Sequence, residues 1–483
     1  MADETGGERA ARSAPPARIA AAGFRSRARR AVSASGPPTH AFGARRRGSG
    51  MSVQAERDVL DVVLRTGEAL LGTGAGVADV TVAMQRMAAG LGMSGCQIDI
   101  TFNSITISLD REDGALTRVR VLEVRTSDYS RLAEVLELVD DVAAGHVALT
   151  DAIARLDAIV AAPHPYRRWV VTAALGLMAA GVAVLLGGGW QVAGLAALTT
   201  GVIDRALRFL RHRGLPYLFQ QAVGSAIATA VAVVLLWGVG RMGWDIAVLP
   251  PSLVVASGIV VLLAGLSLVG AAQDAISGFP LTAAGRSFEV ALLTLGIVIG
   301  VGVVLDVGAR MGVPLSISDL DAFAPPLAVQ IAGAAVVSGS FAVASYTRMR
   351  TVPLVALIGG VGTAVNGTLA AVGVGPAARA FAAALVVGVL AGVLARRRTA
   401  PAMVLTVCGI TPMLPGLAIY GAMYAIVESG STLSGATLTL QAVAVGIALA
   451  AGVSLGDFVA RTTRAQADRW QTALHRRARG TRI

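Results

Sequence analysis

Hydrophobic and polar positions divide this chain into two regimes. Over 52–162 they alternate at short range. Val59, Leu60, Val63, Leu64 and Leu70 recur at helical spacing and predict an amphipathic helix over 53–71, ended by the glycines of Gly72-Thr-Gly-Ala-Gly76. That glycine run is a weak match to a phosphate cradle, because no Walker lysine follows it and no strand precedes it. A second helix is predicted over 77–91. Residues 97–109 alternate with period two, as a half-buried strand does. After the turn residues of 110–114, 117–124 alternate again and are predicted to be the hairpin partner. Two further amphipathic helices, 129–144 and 151–160, complete a small α+β domain.

Beyond residue 163 the apolar positions fuse into blocks. Pro163-His164-Pro165 forms the hinge, with His164 reading as a linker residue rather than a ligand. About ten blocks approach the ~20 residues that a bilayer crossing needs. They are 169–188, 191–207, 216–239, 246–270, 288–305, 324–344, 353–374, 377–395, 402–427 and 433–456. The predicted fold is mostly α: a polytopic membrane protein of about ten transmembrane helices with a small α+β cytoplasmic N-terminal domain. The expected division is a disordered arginine-rich tail over 1–51, the α+β domain over 52–162, two membrane halves over 163–310 and 311–460, and a basic tail over 461–483.

Composition agrees with a membrane protein, since 54% of the 483 residues are hydrophobic and the mean hydropathy is +0.67. The net charge of +11 is carried by arginine alone, there being no lysine. Clustered arginine can signal nucleic acid, but here it concentrates at the two ends and in alternate inter-block loops. Arg205, Arg208, Arg211, Arg213, Arg286, Arg348, Arg350 and Arg396 to Arg398 fall on one side. The opposite loops hold only Arg241, Arg310 and Arg379. By the positive-inside rule both chain ends face the cytoplasm, and no nucleic-acid partner is implied. The first 50 residues contain no signal-peptide apolar run, and Met51 is an alternative start. Cys96 and Cys408 suggest neither a disulfide framework nor a metal site.

Two stretches echo each other at an offset of 151. Residues 257–271 and 408–422 share Gly258/Gly409, Ile259/Ile410, Leu263/Leu414, Gly265/Gly416, Leu266/Leu417, Gly270/Gly421 and Ala271/Ala422. The echo resumes in the SGFPLT beginning at Ser277 and the SGATLT beginning at Ser434. The two stretches lie in the fourth and ninth blocks, so each half holds five spans. An odd number forces the second half to enter the membrane upside down, the inverted-repeat plan of secondary transporters. Pro415 removes a backbone donor and Gly416 and Gly265 weaken the helix. A broken helix frees N–H and C=O groups to hold a small polar substrate. In the first half Ala264 stands where Pro415 stands, so the interruption there rests on Gly265. Isolated glycines and prolines in membrane helices are otherwise kinks or packing points.

Few ionisable groups lie in or beside the spans. Asp274 follows the first repeat and Glu289 opens the fifth span. Either is a candidate proton carrier; the plain alternatives are helix capping for Asp274 and a pair with Arg286 for Glu289. Asp204 and Asp457 read as membrane-edge charges. Asn366 is either interhelical glue or a substrate contact, and Tyr420 and Tyr424 are either substrate hydroxyls or interfacial anchors. The predicted substrate pathway is therefore Gly265, Ser277, Asn366, Pro415, Gly416 and Tyr420, with proton coupling at Asp274 and Glu289. No cofactor motif, metal-ligand set or nucleophile elbow is visible, so no enzyme activity is expected. One alternative is a hydrolase built from Ser94, Asp99, Ser104 and Asp110 of the N-terminal domain; another is a metabolite-gated sensor.

These residues resemble the threonine/serine exporters. The resemblance rests on the Gly74-Ala75 junction, the 99–109 strand, Arg167-Arg168-Trp169, the run from Gln273 through Asp274 and Ser277-Gly278 to Thr282, and Leu414-Pro-Gly-Leu417 with Tyr420. It covers 52 to about 460. In that family an Arg and a Glu often follow the Gly-Ala junction, whereas Val77-Ala-Asp79-Val-Thr81 stands here. The resemblance implies efflux of threonine and serine, driven by the proton motive force, across a bacterial inner membrane. Its implied partners are the amino acid, protons and the bilayer, and self-association is compatible with it. It also implies a hydrolase-like cytoplasmic domain, and a second half that forms a separate polypeptide in some relatives.

Overall fold

The computed structural model describes residues 51–480 apart from 112–113, 123–124, 243–250, 263–264, 314–324, 396–399, 417–418, 420–421 and 423–431. Its N-terminal elements are α1 (Val53–Gly72), α2 (Val77–Gly90), β1 (Gln97–Thr101), β2 (Ser104–Leu109), β3 (Leu116–Val121), α3 (Tyr129–Ala143) and α4 (Leu149–Ala161). Ser52 caps α1 by accepting the Ala55 N–H. The apolar stripe of α1 is buried, with Leu60, Val63 and Leu70 fully inaccessible. Gly74, at φ +99°, lets the chain leave α1 while the Ala75 N–H returns to the Leu70 carbonyl, so the glycine run acts as a helix terminus.

One strand prediction is corrected. Residues 97–109 form two strands rather than one, joined at Phe102 and Asn103, and the sheet is three-stranded and antiparallel in the order β1-β2-β3. Phe102 adopts φ +50°. The two-residue turn reverses the parity: apolar residues fall at 98, 100 and 102 before it and at 105, 107 and 109 after it. The alternation thus changes phase at Asn103-Ser104, and Ile98 and Ile100 face Ile107 and Ile105 across the hairpin.

The remaining helices are α5 (Arg168–Leu185), α6 (Trp190–His212), α7 (Tyr217–Met242), α8 (Pro251–Ile259), α9 (Gly265–Ile276), α10 (Pro280–Arg310), α11 (Leu327–Ala344), α12 (Val352–Ala371), α13 (Pro376–Leu394), α14 (Ala402–Ile410) and α15 (Thr432–Gly480). Among the described residues seven helices are long and apolar enough to cross a membrane: α5, α7, α10, α11, α13, the segment Met349–Ala371 containing α12, and Gly435–Thr463 within α15. The protein is therefore a mostly helical, multi-pass membrane protein. The second predicted span is the helix α6, which ends in Arg211 and His212 and is too polar to join the seven. The fourth and ninth predicted spans contain the short helices α8, α9 and α14. The tenth runs on well past the predicted end, since α15 continues to Gly480.

Helix packing follows the same pattern in both halves. In the first, α5 packs on α6, α6 on α7, α7 on α8 and α10, and α8 also on α5 and α6. In the second, α11 packs on α12, α12 on α13, α13 on α14 and α15, and α14 also on α11 and α12. The α7–α10 and α13–α15 contacts are built alike. Gly296 and Gly300 of α10 sit against the carbonyls of Leu218 and Ala222; Gly452 and Gly456 of α15 sit against those of Phe381 and Leu385. Any Cβ at these four positions would strike a carbonyl oxygen, so small residues set the helix separation. The halves touch where α9 lies on α15 and where α5 crosses α11. There a Cβ at Gly181 would lie 3.2 Å from the Gly333 carbonyl oxygen, and one at Gly333 would lie 3.1 Å from that of Gly181.

Candidate functional site

The fourth predicted span is interrupted at its middle. Helix α8 stops at Ile259, a tight turn follows in which the Leu262 N–H bonds the Ile259 carbonyl, and α9 restarts at Gly265. No proline stands at this break. In the ninth span α14 stops at Ile410 and tightens into a 3-10 turn, Thr411–Met413, containing Pro412. Buried Pro415 and Gly416 follow, with the Gly416 N–H bonded to the Leu414 carbonyl at 2.7 Å.

The two interruptions meet. A Cβ at Gly265 would lie 3.2 Å from Leu414 Cβ, and the Leu414 side chain fills the hollow that the missing side chain leaves. Sequence comparison pairs these same two neighbourhoods, and the fold brings them into contact. In this conformation the contact is filled. Cavities of about 690 Å3, between α5 and α6, and about 480 Å3, around His164 and Tyr346, have no lining residue from either break.

Asp274 is almost inaccessible, at 2% exposure. Its Oδ1 accepts the Val77 N–H at 3.2 Å, and its Oδ2 lies 2.8 Å from Arg286 Nη1 without hydrogen-bond alignment. Helix α2 begins after Gly76, which offers no capping side chain. A carboxylate following the first broken span thus caps a helix of the N-terminal segment and meets the positive end of its dipole. Gly270 makes the pairing possible, since a Cβ there would lie 3.0 Å from Arg286 Nη1.

Glu289 does not pair with Arg286 at helical spacing. That arginine is drawn to buried Asp274, and Glu289 faces Arg125 across 3.8 Å with 44% of its side chain accessible. Arg125 also donates to the Phe102 carbonyl at 2.6 Å and covers the Phe102 ring. The Phe102 N–H donates to Thr282 Oγ1 at 3.0 Å, and the ring lies on Gly285. The positive-φ turn between β1 and β2 therefore docks on the first turns of α10. Its signal in the sequence is the phase change of the alternation at the adjacent polar residues Asn103 and Ser104. On the other side, the Tyr129 N–H at the start of α3 donates to the Ser345 carbonyl at 3.0 Å, and Arg348 reaches Glu134 and Glu137.

Asp79, in the first turn of α2, pairs with Arg461 at 3.5 Å, and Arg461 pairs with Asp457 at 2.5 Å. Burial pushes the Asp79 carboxyl up from the ordinary range, followed by Asp457 and Asp274, against the pull of Arg461. With 48% of the side chain still accessible, solvent screening keeps that push small. Asp204 is held by Arg208 and Thr172. His164 is a linker residue with firm partners, bonded to Asp128 at 2.8 Å and stacked on Tyr346 at 4.4 Å.

The remaining candidates are dispersed. Ser277 is exposed in the turn after α9, and Asn366 is half-buried in α12. Tyr420 and Tyr424 lie outside the described residues. Ser94, Asp99 and Asp110 are exposed, and the described residues form no hydrogen bond among Ser94, Asp99, Ser104 and Asp110. No group of three His, Cys, Asp or Glu side chains among the described residues could hold a metal ion.

Comparison with known proteins agrees along most of the chain. The threonine/serine exporter family, ThrE, matches 61–308, and a second ThrE threonine/serine exporter model matches 330–459. A "Probable threonine/serine exporter" of Mycobacterium tuberculosis is 39% identical over 86% of this chain and 78% of its own length. The "Threonine/serine exporter" of Corynebacterium glutamicum is 38% identical over 84% of this chain and 83% of its own. A probable succinate transporter subunit of Escherichia coli is 27% identical over 54% of this chain and 99% of its own length. No solved structure matches. With two family models meeting the two halves of one bundle of membrane helices, this chain belongs to the threonine/serine exporter family.

Proposed function

We propose that this protein is a secondary transporter that exports threonine, serine and similar small amino acids, driven by the proton motive force. The observation that carries the mechanism is the meeting of the two breaks at Gly265 and Leu414. Backbone groups released at both breaks offer hydrogen bonds to a zwitterionic substrate, and Leu414 seated on Gly265 is the closed state of the pathway. Ten spans in two inverted five-helix repeats, 163–310 and 311–460, would rock about the α5–α11 crossing, and the matched packing of the halves supports that reading. Both ends and the 52–162 domain face the cytoplasm on arginine placement, in a bacterial inner membrane.

Ser277, Asn366, Pro415, Gly416 and Tyr420 remain the proposed pathway, with Asp274 and Glu289 as proton-coupling carboxylates. Asp274 suits coupling because its protonation would weaken both its arginine pair and its cap on α2. The test is efflux of preloaded radiolabelled amino acids from vesicles. Threonine efflux is expected to collapse with an uncoupler; unchanged efflux overturns proton driving. A second reading, dicarboxylate transport, is favoured by the succinate-named relative, so succinate belongs in the same panel.

A further inference from the structure

The cavity of about 690 Å3 between α5 and α6 has no part in the mechanism above. Its floor is made of small residues, Ala173 and Gly176 from α5 and Ala197 and Gly201 from α6. The two helices form an antiparallel hairpin turned at Gly187 to Gly189. Trp169, at the start of α5, and Arg205, near the end of α6, therefore lie at the same edge of the bundle, and both line the cavity. Trp169 is 63% exposed, as an interfacial anchor is, and Leu198 beside the groove is 72% exposed. This is a surface turned to lipid, in the size range of ligand sites.

Charge at the mouth selects the occupant. Asp204 is neutralised by Arg208, with Thr172 bonded to both. Among the described residues no carboxylate lies within ion-pair distance of Arg205, which is exposed. An uncompensated guanidinium above an apolar slot matches a phosphate joined to a hydrocarbon chain, and guanidinium binds phosphate in a planar, bidentate manner.

We propose that the α5–α6 groove binds an anionic phospholipid, with one acyl chain along the small-residue floor and the headgroup phosphate on Arg205. A zwitterionic headgroup gains less, because its own cation faces the same arginine-rich edge.

Native mass spectrometry of the full chain tests this, with phosphatidylglycerol and phosphatidylcholine of matched dioleoyl chains. Wild type is expected to retain phosphatidylglycerol preferentially. Arg205→Gln is expected to lower that retention about fivefold, the effect of one arginine beside an anionic surface. Arg205→Lys is expected to fall between wild type and the glutamine variant, since it keeps the charge and loses the bidentate fork. Gly201→Phe fills the groove at a position with nothing within 4 Å of a Cβ, and is expected to abolish the preference. Gly194→Phe, equally open on the same helix but outside the groove, is expected to leave it intact. Equal retention of the two lipids by wild type overturns the proposal, as does undiminished phosphatidylglycerol in Arg205→Gln. If Gly201→Phe does not yield folded protein, the glutamine and lysine variants decide.

Discussion

At Gly265 one absent side chain decides whether two distant segments can touch, because Leu414 occupies its space. Gly265→Val would force the two breaks apart, and efflux of threonine from preloaded vesicles is expected to fall at least tenfold. Leu414→Ala in the same chain opens the space again and is expected to restore a substantial part of the rate. Additive losses would show that the contact is not the relevant one. Asp274 poses a different question, since its two oxygens serve two partners. Asp274→Ala leaves the largely covered Arg286 without its buried partner and uncaps α2. Losing one partner of a buried pair costs about 3–5 kcal/mol, so a large fall in thermal stability is expected. Asp274→Asn retains an acceptor for Val77 and should lose less. Glu289→Gln removes only a half-exposed, long pair and should leave the melting temperature nearly unchanged. The identities of these residues could be read in the chain, but their partners could not. Helical spacing offered Arg286 to Glu289, and burial gave it to Asp274.

At the scale of elements, two Gly-x-x-x-Gly pairs do equivalent work, Gly296 with Gly300 and Gly452 with Gly456. The first lets α10 approach the carbonyls of α7, and the second lets α15 approach those of α13. Gly300→Ala and Gly456→Ala should each destabilise the protein by the ~1–3 kcal/mol of an overpacked contact, read as a lower thermal midpoint in detergent. Gly194→Ala, in open space, should be neutral or slightly stabilising, as alanine is the better helix former. The pairs are visible in the chain, but glycine is common in membrane helices and nothing local distinguishes a packing glycine from an idle one. The same limit applies to the broken span between α8 and α9. It lacks a proline, so local chemistry marked it less clearly than its counterpart at Pro415. Residues 97–109 failed in the opposite sense: the turn at Phe102 and Asn103 was marked by a change of phase in the alternation, from even to odd positions, which a reading by period alone passes over.

For the whole molecule, two halves that each have their own internal packing are joined at the Gly181–Gly333 crossing, along α9 and α15, and at Gly265 and Leu414. A chain cut within 314–324 and co-expressed as two pieces is therefore expected to regain threonine efflux, while neither piece alone exports. Full activity from one piece would contradict a pathway that needs both breaks. The N-terminal segment contacts both halves, through Val77 and Phe102 on one and Tyr129 on the other. It is positioned to hold them in a fixed relation, and its removal should change transport rates as well as stability.

The order of amino acids determined where the seven described helices long and apolar enough to cross a membrane lie, because lipid demands long apolar runs with every backbone group satisfied inside the segment, and that demand is local. It also displayed the doubled motif and, through it, the family. The tertiary structure decided which groups face one another: Leu414 in the hollow at Gly265, and Asp274 on a helix start 197 residues earlier. Such pairings depend on how helices stack, and stacking is settled by small residues and burial summed over many segments rather than by the chemistry of any one of them.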